Sequence, residues 1–176
     1  MKKTVLVFGV ISGVIIAAEM LAGLPFLEKI GQETALVLGY TTMVLAGLLV
    51  YFGIRSYRDN VDGGKLTFGR GFVVGILISL IACCFYVGTW EIVNYRFMPD
   101  FADKYAAGMV KRAQDSGASQ QKIDETIRNA EEFKRNYRNP VYNVGMTFRE
   151  VFPVFLLITL ISAGILRRKS PTLAVP

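Results

Sequence analysis

Four apolar stretches, each long enough to cross a lipid bilayer, constrain the fold of this chain more than any other feature. They cover residues of about 4–24, 33–54, 68–95 and 141–166. The hydrocarbon core of a bilayer is about 30 Å thick, and a helix needs roughly 20 residues to cross it. Because lipid offers the backbone no hydrogen-bond partners, such segments span it as helices. The sequence therefore predicts an all-α membrane protein with four transmembrane helices.

The composition supports this class. Hydrophobic residues make up 52% of the chain, its mean hydropathy is +0.39, and its charges gather between the apolar stretches. A length of 176 residues suits one domain, so a single transmembrane domain over residues 1–176 is expected. The first stretch follows Lys2 and Lys3 but exceeds the apolar region of a secretory signal, which is roughly 7–15 residues long. It is interpreted as an uncleaved first helix.

The positions of the basic residues predict the orientation of the chain. Short cytoplasmic loops are enriched in Lys and Arg. The loop between the first two stretches carries only Lys29 against Glu28 and Glu33. Basic residues are instead concentrated at both termini and in the second loop: Lys2, Lys3, Arg55, Arg58, Lys65, Arg70, Arg167, Arg168 and Lys169. Both termini are therefore predicted to be cytoplasmic, and residues 97–140 to face outward.

The outward segment, residues 97–140, has the pattern of an amphipathic helical hairpin. Apolar side chains recur on one face of each of two helices: Phe101, Tyr105 and Met109, then Ile123, Ile127, Ala130, Phe133 and Tyr137. Gly117 suits the end of the first helix and Ser119 the N-cap of the second. The hairpin fits a lid packed on the bundle or the lipid surface, and equally a docking surface or a gate over a cavity. Amphipathicity does not separate these roles.

Charged residues inside the apolar stretches are the candidate functional site. Glu19, Glu91, Arg149 and Glu150 form a candidate intramembrane charge cluster, and the predicted orientation places all four in the outer half of the bilayer. A charge at mid-helix costs about 2.5–3.5 kcal/mol on insertion, so such groups usually find partners. Arg149 is the only cation, and it is predicted to pair with Glu19 or Glu91.

Two interpretations of these charges stay open. They can act as interhelical contacts near the interface, where water lowers the cost of the charges. Alternatively, a carboxylate in excess of the single cation can take up a proton. Pro153 lies four residues after Arg149 and frees the carbonyl of that residue from its helical hydrogen bond.

Small residues predict close packing of the helices. Gly9, Gly13 and Ala17 step along the first stretch, and Gly71, Gly75 and Ser79 along the third. Near the outer end of the third stretch, Tyr86, Trp90 and Tyr95 predict an aromatic belt at the membrane interface. The adjacent Cys83 and Cys84 are interpreted as small apolar fillers, since neighbouring helical residues are poorly placed for a disulfide.

The residue inventory argues against most catalytic chemistry. The chain has no histidine, and no nucleophile lies in a recognisable pattern with a base. "GGKLT" at residues 63–67 lacks the first glycine of a phosphate-binding loop. We therefore expect no catalytic, cofactor or metal site, with a carboxylate-only membrane enzyme as a minor alternative.

The expected partners follow from the charges and the apolar surface. The cytoplasmic loops account for the net charge of +6, so no nucleic-acid partner is implied. Four basic residues of the second loop are expected to contact anionic lipid headgroups: Arg55, Arg58, Lys65 and Arg70. A second copy of the chain or another membrane protein is a further expected partner.

Four segments carry a resemblance to a known family. They are "GGKLTFGRGFVVGILISLIAC", "YRFMPDFADKY", "SGASQQKIDE" and "LISAGILRRK". In this order the chain resembles the bacterial integral membrane family called domain of unknown function 4199. The resemblance implies four transmembrane helices and no assigned activity, so no catalytic residues are transferred. The expected function is a structural or accessory, non-enzymatic protein of the bacterial cytoplasmic membrane. The alternative is a small transporter or proton-linked carrier that uses the four charges.

Overall fold

The computed structural model describes residues 1–168, except for the side chains at positions 27, 28, 30–33 and 35. Lys169 of the basic tail lies outside the described residues. The described chain folds as α1 (Lys2–Gly23), a 3₁₀ turn (Leu24–Phe26), α2 (Leu27–Asn60), α3 (Phe68–Arg96), α4 (Phe101–Asp115), α5 (Gln120–Tyr137) and α6 (Pro140–Leu166). Over residues 1–168 the β-structure is limited to one isolated bridge, between Leu66 and Arg168. The predicted all-helical class is confirmed.

Within the described residues, four helices are long and apolar enough to cross a membrane. The segments that meet these criteria are Lys2–Phe26, Leu36–Asn60, Phe68–Arg96 and Pro140–Leu166. They lie in α1, α2, α3 and α6 and match the four predicted stretches. Many of their outward side chains are apolar, for example Val37, Leu157 and Ile165. A helix that is apolar on its exposed face as well as on its buried face is typical of a membrane span.

Helix α2 is longer than the sequence predicted. The segment taken as the first loop is largely helical, because α2 begins at Leu27 directly after the 3₁₀ turn. Leu, Glu, Lys and Gln, which populate this segment, are all favourable in helices. At its other end α2 continues past residue 54 to Asn60 and stops just before Gly63 and Gly64, both of which have positive φ. Arg55 and Arg58 therefore lie on a helix.

The chain divides into two compact units. The first consists of Met1–Thr89 together with the chain from Phe148 onward, and the second of Trp90–Thr147. Helices α3 and α6 each begin in one unit and end in the other.

The core of the first unit is formed by α1, α2, α3 and α6. Its largest fully buried side chains include Ile16, Ile54, Ile78 and Phe155. Leu66, in the loop before α3, is also buried in this core. Its backbone exchanges two hydrogen bonds with Arg168, with N–O distances of 2.8 and 3.2 Å. The second loop is thus attached to the chain that follows α6.

The second unit contains the predicted hairpin, which is confirmed. Helices α4 and α5 pack against each other, and the turn between them contains Gly117 at φ 67°. The side-chain oxygen of Ser119 accepts a hydrogen bond from the backbone N–H of Lys122 and so caps α5. Aromatic side chains fill the space between the two helices, with Tyr105 and Phe133 at a ring-centroid distance of 5.2 Å.

Candidate functional site

In the part of the chain that the structure describes, the four predicted charges form no ion pairs. Glu19 on α1 and Glu91 on α3 are half-buried, whereas Arg149 and Glu150 on α6 are exposed. Among residues 1–168, no ion pair with an N–O distance of 4.0 Å or less includes any of these four side chains. Within the first unit, no ion pair joins Arg149 to Glu19 among the described residues.

The periodicity of α6 explains the exposure of Arg149. Six of its buried residues recur every four positions: Asn143, Thr147, Val151, Phe155, Thr159 and Ala163. Arg149 lies two positions before Val151, which is about 200° around the helix. The side chain of Arg149 consequently points away from the buried stripe.

Two buried polar atoms of the second unit have no hydrogen-bond partner among the described residues. They are Oε1 of Glu91 and Nδ2 of Asn143. The Thr147 hydroxyl lies 2.9 Å from the backbone carbonyl oxygen of Asn143 and 3.3 Å from its side-chain oxygen, and neither contact involves the Asn143 amide nitrogen. A buried polar group without a partner costs about 1–3 kcal/mol. Sequence reasoning missed Asn143 and Thr147, although both continue the four-residue stripe of Val151 and Phe155.

Buried hydroxyl groups link the helices of the first unit. The Ser12 hydroxyl on α1 donates to the Ala46 carbonyl on α2 at 3.0 Å. The hydroxyls of Ser79 on α3 and Thr159 on α6 lie 2.9 Å apart and share a hydrogen bond. Ser79 was expected only as a small packing residue, and its partner Thr159 was not anticipated. The sequence signal for Thr159 is weak because it depends on the register of two distant helices.

The predicted small residues lie at close helix contacts. A Cβ atom on Gly9 would lie 2.9 Å from Ile81, and one on Gly13 would lie 2.5 Å from Phe85. A Cβ on Gly71 would lie 3.2 Å from Leu66, and one on Gly75 would lie 2.7 Å from Thr159. Ala17 is half-buried on α1.

Helix α2 has close contacts of its own, which the sequence analysis did not identify. A Cβ on Gly47 would overlap Ile158, and one on Gly53 would lie 2.5 Å from Ile78. Both glycines are on α2. They are not spaced by four residues, unlike the small residues that were predicted to pack closely on α1 and α3.

Acidic residues engage most of the predicted lipid-binding basic patch. Arg58 donates two hydrogen bonds to Asp59, at 2.7 and 3.1 Å. Arg55 lies 3.7 Å from the same carboxylate, and Arg70 forms a 2.6 Å ion pair with Asp62. Lys65 is exposed on the loop. The sequence already places these two acids among the four cations, and Arg55 and Asp59 have the four-residue spacing of a helical ion pair.

The predicted aromatic belt is divided between different environments. Trp90 packs edge-on against Phe101 at a centroid distance of 4.8 Å, and its indole N–H donates to the Tyr137 hydroxyl at 2.7 Å. Tyr86 packs against the core of the first unit, whereas Tyr95 is exposed. Trp90 is thus part of the aromatic cluster of the second unit, which consists of Trp90, Phe101, Tyr105, Phe133 and Tyr137.

A comparison with protein families accounts for nearly the whole chain. The model of the family described as "Protein of unknown function (DUF4199)" matches residues 7–168. The chain belongs to this family. The resemblance inferred from the four sequence segments is thereby confirmed. Comparisons with curated proteins and with solved structures gave no match.

Proposed function

We propose that this DUF4199 protein is a non-enzymatic accessory protein of the bacterial cytoplasmic membrane, and that its α4–α5 hairpin is an outward docking surface for another membrane protein. The main support is the construction of the hairpin. Its apolar face is occupied by the aromatic cluster, while its opposite face is charged. Ion pairs hold that charged face in place, with Lys134 3.1 Å from Asp103 and Lys122 2.8 Å from Glu125. An ordered, charged surface of this kind suits specific recognition of a partner.

The proposed orientation has both termini and the second loop in the cytoplasm and the hairpin outside. It rests on the excess of Lys and Arg in the second loop and at the termini. Labelling with a membrane-impermeant maleimide tests it, in a variant in which Cys83 and Cys84 are replaced by Ser. Ser116→Cys should react in intact cells, and Lys65→Cys only after permeabilisation. The reverse pattern would contradict the orientation.

Site-specific photo-crosslinking tests the docking role. A crosslinking amino acid at Arg128 or Glu132, both exposed on α5, should give one discrete product with a second membrane protein. The same group at Leu157, which is exposed on α6, is the matched control and should not give that product. A product at twice the mass of the chain would identify the partner as a second copy. Equal products from all three positions, or none from α5, would refute a docking role for the hairpin.

A proton-linked carrier is the second candidate, in which Glu19, Glu91, Arg149 and Glu150 would provide the charged groups. It is favoured by one observation, the buried Oε1 of Glu91 without a hydrogen-bond partner. Purified protein in vesicles with an imposed pH gradient separates the two candidates. A carrier should dissipate the gradient faster than empty vesicles do, and Glu91→Gln should abolish the difference while Glu125→Gln does not. The accessory role predicts no protein-dependent flux.

A further inference from the structure

A cavity opens at the end of the first unit where α3 begins. Its volume is about 460 Å³, and it is lined by Met1, Tyr57, Asp62, Gly69, Arg70 and Val73. Cavities that hold small molecules typically measure roughly 300–1,000 Å³. The lining combines one acid and one base with apolar side chains, so the cavity suits an amphipathic ligand.

A second cavity adjoins the first at Met1, which lines both. It measures about 280 Å³ and is lined by Met1, Lys2, Val5, Leu6 and Leu77. Val73 of the first cavity and Leu77 of the second are four residues apart, so they lie on the same face of α3. The two adjoining cavities are called the α1–α3 groove below.

Polarity changes along the α1–α3 groove. At one end lies Arg70, whose Nη1 is 2.6 Å from Asp62 Oδ1. The guanidinium has five N–H donors, so this ion pair orients Arg70 and leaves other donors for a ligand. Asp62 is therefore a positioning residue. Further along α3 the lining becomes apolar, with Val73 followed by Leu77, both exposed on the described chain.

Other basic residues lie close to the groove in the sequence. Arg55 and Arg58 are in the last turns of α2, where both contact Asp59. Lys2 lines the neighbouring cavity. Basic residues at a membrane surface attract anionic lipid headgroups, with a contribution of about 1 kcal/mol for each Lys or Arg.

We propose that the α1–α3 groove binds one anionic phospholipid, with its phosphate at Arg70 and one acyl chain along Val73, Leu77 and Leu6. The phosphate complements the free donors of Arg70, and the acyl chain covers apolar side chains that face outward. This site rests on the membrane location of the four helices. It is independent of the hairpin's docking role, so the labelling and crosslinking experiments above can fail without affecting it.

Native mass spectrometry of the full chain, released from bilayers of equal phosphatidylglycerol and phosphatidylcholine, tests the proposal. The wild-type chain should retain one phosphatidylglycerol in preference to phosphatidylcholine. Gly69→Phe should abolish the retention. A Cβ at Gly69 meets no atom within 4 Å, so the ring can enter the groove without displacing the core. Gly88→Phe is the matched control, because Gly88 also lies on α3 with open space at its Cβ and is outside the groove.

A charge variant tests the headgroup contact separately. Arg70→Gln should lower the ratio of retained phosphatidylglycerol to phosphatidylcholine about fivefold, the loss expected for one basic contact. Lys65→Gln removes one positive charge from the loop just before α3, at a residue that does not line the groove, and should leave the ratio unchanged.

Three results would overturn the site. They are lipid retention by Gly69→Phe at the wild-type level, equal effects of Arg70→Gln and Lys65→Gln, and equal retention of the two lipids by the wild-type chain. Circular dichroism first establishes that each variant is folded. If Gly69→Phe fails this check, Val73→Trp fills the same groove from an exposed position and replaces it, with the same expected loss.

Discussion

The four-helix unit and the α4–α5 hairpin are both helical, but different forces hold them together. In the four-helix unit, glycines such as Gly75 bring the helices close, and a buried hydroxyl pair joins Ser79 to Thr159. In the hairpin, four aromatic side chains of α4 and α5 pack together with Trp90 of α3, and the surface carries ion pairs and a helix cap. The four-helix unit is apolar inside and outside, whereas the hairpin separates its apolar and charged faces.

The difference follows from the solvent. In lipid, burying an apolar side chain against another helix gains little, because lipid tails are as apolar as leucine. Close van der Waals contact and interhelical hydrogen bonds must provide the specificity, which favours small residues and hydroxyls. In water, burial of large aromatic surfaces is strongly favourable, which suits the Phe and Tyr side chains of α4 and α5. Substitutions of small residues should therefore act mainly on the four-helix unit, and substitutions of aromatic residues mainly on the hairpin.

The largest effect is expected from Tyr137→Ala in the hairpin. It removes a nearly buried ring and the hydroxyl that accepts from Trp90, which should cost about 3 kcal/mol of local stability. Hydrogen exchange of the α4 and α5 amides should accelerate about 100-fold. Tyr95→Ala, at an exposed tyrosine, should leave exchange unchanged. Similar acceleration in α1 and α2 would mean that the aromatic cluster does not act on the hairpin alone.

Gly75→Val should have the next largest effect, this time in the four-helix unit. Its Cβ would lie 2.7 Å from Thr159 and 2.8 Å from Ile54, so the added side chain must force the helices apart. A cost of about 2 kcal/mol is expected for such overpacking. It can be measured by denaturation with SDS in mixed micelles. Gly88→Val, with no atom within 4 Å of its Cβ, is the control on the same helix. Equal losses for the two variants would show that close approach at Gly75 is unimportant.

Ser119→Ala tests a contribution specific to the water-exposed hairpin. The substitution removes the acceptor for the Lys122 N–H and should destabilise α5 by about 1 kcal/mol. The expected result is faster hydrogen exchange confined to the first turn of α5. Gln121→Ala, an exposed position in that turn, should show no such change. No acceleration in Ser119→Ala would mean that the cap contributes nothing to the stability of the helix.

The smallest effect is expected from pH, again in the hairpin. A hydrogen bond from Lys104 lowers the pKa of Asp100 below its usual value of 3.8, so this carboxylate stabilises the folded hairpin above that pH. The stabilisation is lost as the pH falls through the lowered pKa. Trp90 is the only tryptophan and packs on Phe101, so its fluorescence reports the hairpin. We expect a small change in the Trp90 fluorescence below about pH 4. This change should be smaller in Asp100→Asn.

A matching change is expected at alkaline pH. A hydrogen bond to Asp103 raises the pKa of Lys134 above 10.5, so its contribution to hairpin stability is present below that pH and is lost as the pH rises through the raised pKa. Hydrogen exchange of the hairpin amides should respond less to alkaline pH in Lys134→Gln than in the wild type. An unchanged response would exclude Lys134 as the group responsible.

The sequence alone predicted most of the fold because hydrophobic periodicity depends on local residue types. The four apolar stretches predicted the four long helices, and the turn at Gly117 and Ser119 predicted the hairpin. The start of α2 was missed because the segment from residue 27 has polar residues that are also good helix formers. The candidate site was harder to predict. Glu19, Glu91, Arg149 and Glu150 were selected for their charge, but pairing depends on which face of each helix is buried.

The residue types by themselves thus determined that the chain is helical and spans a membrane, because each helix forms its backbone hydrogen bonds internally. Only the tertiary structure decided which polar groups meet. It joined Ser79 to Thr159 and Trp90 to Tyr137, paired Arg70 with Asp62, and left Glu91 Oε1 without a partner. These contacts depend on the rotation and register of helices that are far apart in sequence. A shift of one residue in a helix turns the side chain by about 100° around the helix axis. Composition and spacing within one helix do not specify this rotation relative to another helix.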